Sequence, residues 1–144
     1  GERSLELAPN GAMARGLLGM TLSYADKPDE SILHLNHAIR LNPFAPYWYF
    51  LRLGQSYVQK GEYEKALQEY KKGLQRAPDA VSIHAHLAAL YVLSDRQEEA
   101  RVAAKRVLEL YPGFSLKGVA KTLPFKNQAF HKLFVDAMRE AGLE

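Results

Sequence analysis

The chain reads as an all-α array of stacked helix pairs, and three observations carry that reading. The first is a spaced pattern, Phe50-x2-Leu53-Gly54-x2-Tyr57, then Ala66-x3-Tyr70, closed by Pro78. The second is its recurrence. A shift of 34 residues gives His84, Leu87, Ala88, Tyr91, Ala100, Ala104 and Pro112, and a shift of 35 back gives Arg15, Leu18, Gly19, Leu22, Ser31, Leu35 and Pro43. The third is a ruler of prolines, since Pro9, Pro43, Pro78 and Pro112 stand 34, 35 and 34 apart.

The pattern has a physical meaning. Phe50, Leu53, Gly54 and Tyr57 fall at i, i+3, i+4 and i+7, one stripe of a first helix. Ala66 and Tyr70, four apart, make the facing stripe of a second. Gly54 and Ala66 are small, so two backbones can cross closely there while Tyr57 and Tyr70 fill the remaining volume. Gly61 marks the turn, and Pro78 ends the unit because proline cannot continue a helix.

Bulk properties are consistent with one soluble domain. Hydrophobic residues are 47% and charged residues 24% of the 144. In a repeat array the core is a ribbon between neighbouring units rather than a ball. The absence of cysteine excludes disulfides, thiolate metal sites and a cysteine nucleophile, and fits a reducing, cytoplasmic setting. No run approaches the roughly 18 apolar residues that a membrane span needs, and the start is unlike a secretory signal. A net charge of +3 is too mild to argue for an anionic partner.

Taken in order, Glu2 to Leu7 reads as the last turns of a second helix ending at Pro9. The chain is therefore expected to begin inside a repeat of a longer protein. The first full repeat carries Leu18, Gly19 and Leu22 on one helix. Its second helix starts near Pro28, with Asp29 and Glu30 at the positive end of the helix dipole; Ile32, Leu35, Ala38 and Ile39 form its buried stripe. Asn42-Pro43-Phe44-Ala45-Pro46 is a stiff junction. The middle and third repeats turn at Lys60-Gly61 and Ser94-Asp95, and Asp79 is positioned to cap the third repeat's first helix. Beyond Pro112, Ser115 can cap a short helix with Leu116, Val119 and Ala120 inward. Leu123-Pro124-Phe125 breaks that helix, and Asn127 can cap a last one. Phe130, Leu133, Phe134, Ala137, Met138 and Ala141 stripe the last helix, and Gly142 stops it. Residues 115–144 are expected to cap the array, with the natural end near Glu144.

The repeating unit resembles a tetratricopeptide repeat, a helix–turn–helix of about 34 residues. The resemblance covers residues 12–112. It implies a right-handed α-α superhelix with a truncated preceding repeat over 1–11, repeats over 12–46, 47–80 and 81–114, and capping helices over 115–144. Arg15 and His84 depart from it, standing where large apolar residues are usual. A narrower likeness lies in Leu41-Asn42-Pro43-Phe44, in Tyr111-Pro112-Gly113-Phe114-Ser115, and in the tail from Leu123-Pro124-Phe125-Lys126 through Met138 to Leu143. These resemble the C-terminal tetratricopeptide region of bacterial class III adenylate/guanylate cyclases and related regulators. That likeness implies regulation or recruitment, with any catalytic domain upstream.

In such arrays the first helices line a concave groove. Counting around each helix gives three patches: Met13, Gly16, Met20, Ser23 and Tyr24; Trp48, Leu51, Arg52, Gln55 and Gln59; and Ser82, Ala85, Ala89, Val92 and Leu93. Leu116 and Val119 extend them. The surface is apolar with almost no charge, suited to a peptide or helix with apolar anchors. Its expected binding residues are Met20, Tyr24, Trp48, Leu51, Arg52, Gln55, Ala85, Ala89 and Val92. Trp48 is the best anchor, unless it packs on the neighbouring repeat near Tyr24. Tetratricopeptide domains that grip acidic chaperone tails use several Lys, Arg and Asn side chains as a carboxylate clamp; Arg52 and glutamines alone do not supply one.

Other features give no chemistry. Lys71, Lys72, Arg76, Arg101, Lys105 and Arg106 recur on second helices, but Glu62, Glu64, Glu69, Glu98 and Glu99 are interspersed and no aromatics alternate with them. This reads as a solvated face, not a nucleic-acid surface. His34 and His37, and His84 and His86, lack partners at metal-ligand spacing. No phosphate-cradling glycine motif occurs, and no nucleophile–base set is specified. The expected function is non-catalytic recognition of a protein or peptide, without cofactor, metal, nucleic acid or membrane. The alternative is a structural spacer or a self-association module that forms a homodimer.

Overall fold

The computed structural model describes residues 9–144, which form eight helices and no strand among them. They are α1 (Pro9–Tyr24), α2 (Pro28–Leu41), α3 (Tyr47–Gln59), α4 (Tyr63–Arg76), α5 (Val81–Leu93), α6 (Gln97–Leu110), α7 (Leu116–Lys121) and α8 (Gln128–Ala141). The expected trailing helix before Pro9 lies outside the described residues. Pro9 itself opens α1, three residues earlier than the expected start of the first repeat at Ala12. No helix among the described residues is long and apolar enough to cross a membrane.

The helices pair as α1 with α2, α3 with α4 and α5 with α6. Small residues set each crossing. A Cβ on Gly54 would stand 2.3 Å from the Tyr70 ring, and one on Gly19 would stand 2.5 Å from Leu35. Both helices therefore approach to a distance that only glycine permits. Turns between partners use positive φ: Gly61 at 74°, Asp95 at 60° and Asp26 at 65°.

Successive first helices also touch, α1 with α3 and α3 with α5, while no comparable packing joins one second helix to the next. An array in contact along its first helices and splayed along its second curves toward the first. The fold is thus an all-α tetratricopeptide-type superhelix with α1, α3 and α5 on the concave side.

The unusual residues at repeat positions each find a polar partner nearby. Arg15 is buried, and its guanidinium meets Nδ1 of His34 at 3.1 Å. His84 reaches the Pro78 carbonyl with Nε2 at 2.9 Å. Ser115 and Asn127 cap α7 and α8 by accepting from the Gly118 and Phe130 amides at 3.1 and 3.0 Å. Asp79 is a correction. Ala80 occupies the cap position of α5 with no side-chain bond, and Asp79 accepts from Arg106 at 3.0 Å instead. Two stripe assignments also shift. Leu18 is 41% exposed on α1, and Leu133 is 49% exposed on α8, where Val135 is buried in its stead.

Candidate recognition groove

The concave face is not an open channel. After α7 the chain turns at Leu123-Pro124-Phe125 and runs back across the first helices. The Lys126 amide donates to the Tyr24 carbonyl at 2.8 Å, and the Phe125 ring lies edge-on to Tyr24 with 5.0 Å between centroids. Asn127 reaches Asp26 at 3.5 Å. From that foothold at the end of α1, α8 packs chiefly on α5 and finishes against α6, where Gly142 faces Ala104. The Leu116 amide then donates to the Glu144 carbonyl at 2.9 Å and fixes the end of the chain beside α7. Phe130, Phe134, Val135, Met138 and Leu143 are buried by this arrangement.

Consequently the expected groove residues divide. Leu51, Gln55, Ala85 and Ala89 are buried, whereas Met20, Tyr24, Trp48, Arg52 and Val92 are half-buried. Trp48 lies edge-on to Tyr49, 4.5 Å between centroids, and its ring stands 3.1 Å from where a Gly16 Cβ would be. Its packing on the preceding repeat is therefore at Gly16 rather than near Tyr24.

The polar residues of the face form one network. Gln55 donates to the Ser23 hydroxyl at 2.9 Å, and that hydroxyl donates to Gln59 at 3.2 Å. Gln59 in turn donates to the Ser23 carbonyl at 2.8 Å. Arg52 donates to the Tyr24 hydroxyl at 2.7 Å and to Gln55 Oε1 at 3.0 Å, and His86 Nε2 lies 3.4 Å from the same oxygen. Burial is the main cause that holds His86 neutral; with the Arg52 charge beside it, its pKa falls to about 3. Burial also raises the Tyr24 and Tyr70 hydroxyls, against the pull of Arg52.

One part of the concave side remains hollow. A cavity of about 480 Å³ lies between the starts of α3 and α5, the Tyr111–Ser115 loop and α7. Leu51, Val81, Ala85, Phe114, Val119 and Leu123 give it apolar walls, and Arg52 and His86 bring the polar network to its edge. His86 was not among the expected groove residues. It stands one repeat of 34 after Arg52, so carrying the Arg52 register forward would have found it.

Residues 54–94 match the family model of the TPR repeat. No curated protein sequence is a significant match. Solved structures show the fold over nearly the whole chain. PcrH in complex with the chaperone binding region of PopB aligns at a TM-score of 0.69 with 22% identity, over 93% of this chain and 97% of that one. The first TPR of Spaghetti (RPAP3) bound to the HSP90 peptide SRMEEVD aligns at 0.70 with 18% identity, over 87% and 97%. MamA aligns at 0.68 with 17% identity, over 92% and 77%. At these identities the likeness is one of fold.

Proposed function

We propose that the chain is a non-catalytic recognition module that binds a peptide or helix on its concave side. The observation that carries this is the cavity of about 480 Å³, apolar in its walls and bordered by one cation, Arg52. A buried apolar anchor of a ligand fits such a hollow, and an acceptor beside that anchor would face the Arg52 guanidinium. The ligand-bound states of PcrH and of the first TPR of Spaghetti support the use of this fold for peptide capture. The proposed organisation is repeats over 12–46, 47–80 and 81–114, with 115–144 as the capping unit. Its proposed setting is the cytoplasmic regulatory or recruitment part of a bacterial signalling protein of the adenylate/guanylate cyclase type. That setting rests on the sequence resemblance alone.

The test compares capture from lysate by the native chain and by a Val119→Asp variant of unchanged helicity, since Val119 faces the cavity and is only half-buried. A partner held by the native chain and lost by the variant supports the reading. Identical capture by both, or none by either, sinks it. One observation favours self-association as a second reading: Met13, Leu17 and Leu18 are exposed together on one side of α1. A dimer in solution that Leu17→Glu disperses would establish it.

A further inference from the structure

The C-terminal helix has the build of a groove ligand. Its buried anchors Phe130, Phe134, Met138 and Ala141 recur at four, four and three residues, the spacing by which an amphipathic helix seats in a groove. Its outward charges satisfy one another, with Asp136 accepting from Lys132 at 2.6 Å and from Arg139 at 2.8 Å. The polar network of the groove takes no side-chain bond from it, and among the described residues Arg52 Nε and the Tyr70 hydroxyl are buried without a hydrogen-bond partner even with α8 in place. Ser23, Gln55 and Gln59 are bonded among themselves, and Arg52 is bonded to Tyr24 and Gln55. Among the described residues no hydrogen bond joins Ser23, Arg52, Gln55 or Gln59 to a side chain of α8. Contact of α8 itself with the groove is through a ring, Phe134 on His86 at 5.0 Å; just ahead of it Phe125 lies on Tyr24 at 5.0 Å and the Lys126 amide donates to the Tyr24 carbonyl at 2.8 Å. An element whose side chains bond none of the floor's polar groups can leave without orphaning any of them.

We propose that α8 is a self-ligand of the concave groove. The partner that the chain recognises is then an amphipathic helix with aromatic or long apolar anchors four residues apart, which enters by displacing α8. This rests on the reading of the concave side as a recognition surface, and it makes recognition conditional. The groove is open to a partner only in the fraction of molecules whose α8 has lifted, so apparent affinity is reduced by that fraction.

The experiment uses the full chain and a fluorescent synthetic peptide copying residues 122–144. Peptide binding is measured by anisotropy against the native chain and a Phe134→Ala variant, while hydrogen exchange follows α8 and α5 in both. The expected result is at least about tenfold tighter binding by the variant, with α1–α6 still protected. In the native chain, α8 amides should open at least about tenfold more often than those of α5. Equal binding by native and variant chains, or no binding by a folded variant, overturns the proposal. If the variant unfolds, native exchange decides, and α8 exchanging at the α5 rate makes the helix part of the core. None of these readouts needs the natural partner. Failure here is therefore separable from failure of the recognition reading, which the Val119→Asp comparison decides.

Discussion

The imidazole of His86 is held edge-on between two rings, Phe134 of α8 at 5.0 Å and Tyr70 of α4 at 6.0 Å. Burial and the Arg52 charge lower its pKa to about 3, from an unfolded value of 6.5. The other groups facing it carry no charge at neutral pH: the Ser82 carbonyl, 2.8 Å from Nδ1, favours the imidazolium, but less than burial and Arg52 oppose it, and Gln55 Oε1 lies 3.4 Å from Nε2. Because the folded pKa is depressed, the folded chain binds fewer protons than the unfolded chain between pH 6.5 and 3. Stability therefore falls as pH drops through that window, by about 1.4 kcal/mol per unit from this group. Urea unfolding of the native chain and a His86→Gln variant at pH 7 and 5 should show the native chain losing about 2 kcal/mol more than the variant. Equal losses would mean that water reaches His86.

The crossing at Gly54 gives a steric prediction. A Cβ there would stand 2.3 Å from the Tyr70 ring, which is fully buried and cannot swing aside. Gly54→Ala should cost about 1–3 kcal/mol by overpacking, and Gly54→Leu more. Ala66→Leu, at a wholly buried position in the same pair, should behave alike. At Gly61 the effect has another origin, since nothing lies within 4 Å of an added Cβ but φ is +74°. Gly61→Ala should therefore lose about 1 kcal/mol through the backbone alone. Thermal melts of the four variants would check both origins, and an unchanged Gly54→Ala melt would refute the close crossing.

Much of this was readable in the chain itself. A close crossing at Gly54 followed from repeat spacing, although the Gly54 Cβ position faces the Tyr70 ring rather than Ala66, and the caps at Ser115 and Asn127 followed from residue type and position. Local rules sufficed because each partner lies within one helix pair or one turn. The path of the tail was not readable. Phe130, Phe134 and Met138 announce that one face of α8 must be buried, but not against which helix. The contacts that place its start, the Lys126 amide on the Tyr24 carbonyl and the Phe125 ring on Tyr24, join residues about a hundred positions apart, and nothing periodic links their ends. Leu133 misled for the same reason, since a stripe centred on 130, 134 and 138 is broad enough to include it until the opposing surface is known. Asp79 failed differently: α5 begins at Val81, which puts Ala80 at the cap position and Asp79 one residue before it, where its carboxylate pairs with Arg106 of α6.

Asn127 offers a local handle on α8. Its side chain accepts from the Phe130 amide at 3.0 Å, satisfying one of the unpaired donors at the helix start. Asn127→Ala should cost about 1 kcal/mol. If α8 opens independently, the loss appears as faster amide exchange in residues 128–141, with α5 unchanged. A uniform rise in exchange across α1–α8 would show that the helix opens only with the whole array.

The cations of the outer face give the last prediction. Lys72 pairs with Glu69 at 3.2 Å, Arg101 with Glu98, and Arg106 with Asp79 at 3.0 Å. Apart from Glu69 these groups are well exposed, so each pair gains little over its hydrated separate ions and is screened further by salt. Their carboxylates also cancel the positive field that a phosphate backbone would need to release counterions along a continuous track. Lys72→Gln and Arg101→Gln should each change stability by less than about 0.5 kcal/mol. Native protein titrated with duplex DNA at low salt should show no binding with the steep salt dependence of a multi-phosphate contact. Steep salt-dependent binding, lost on those substitutions, would turn the outer face into a second interaction surface.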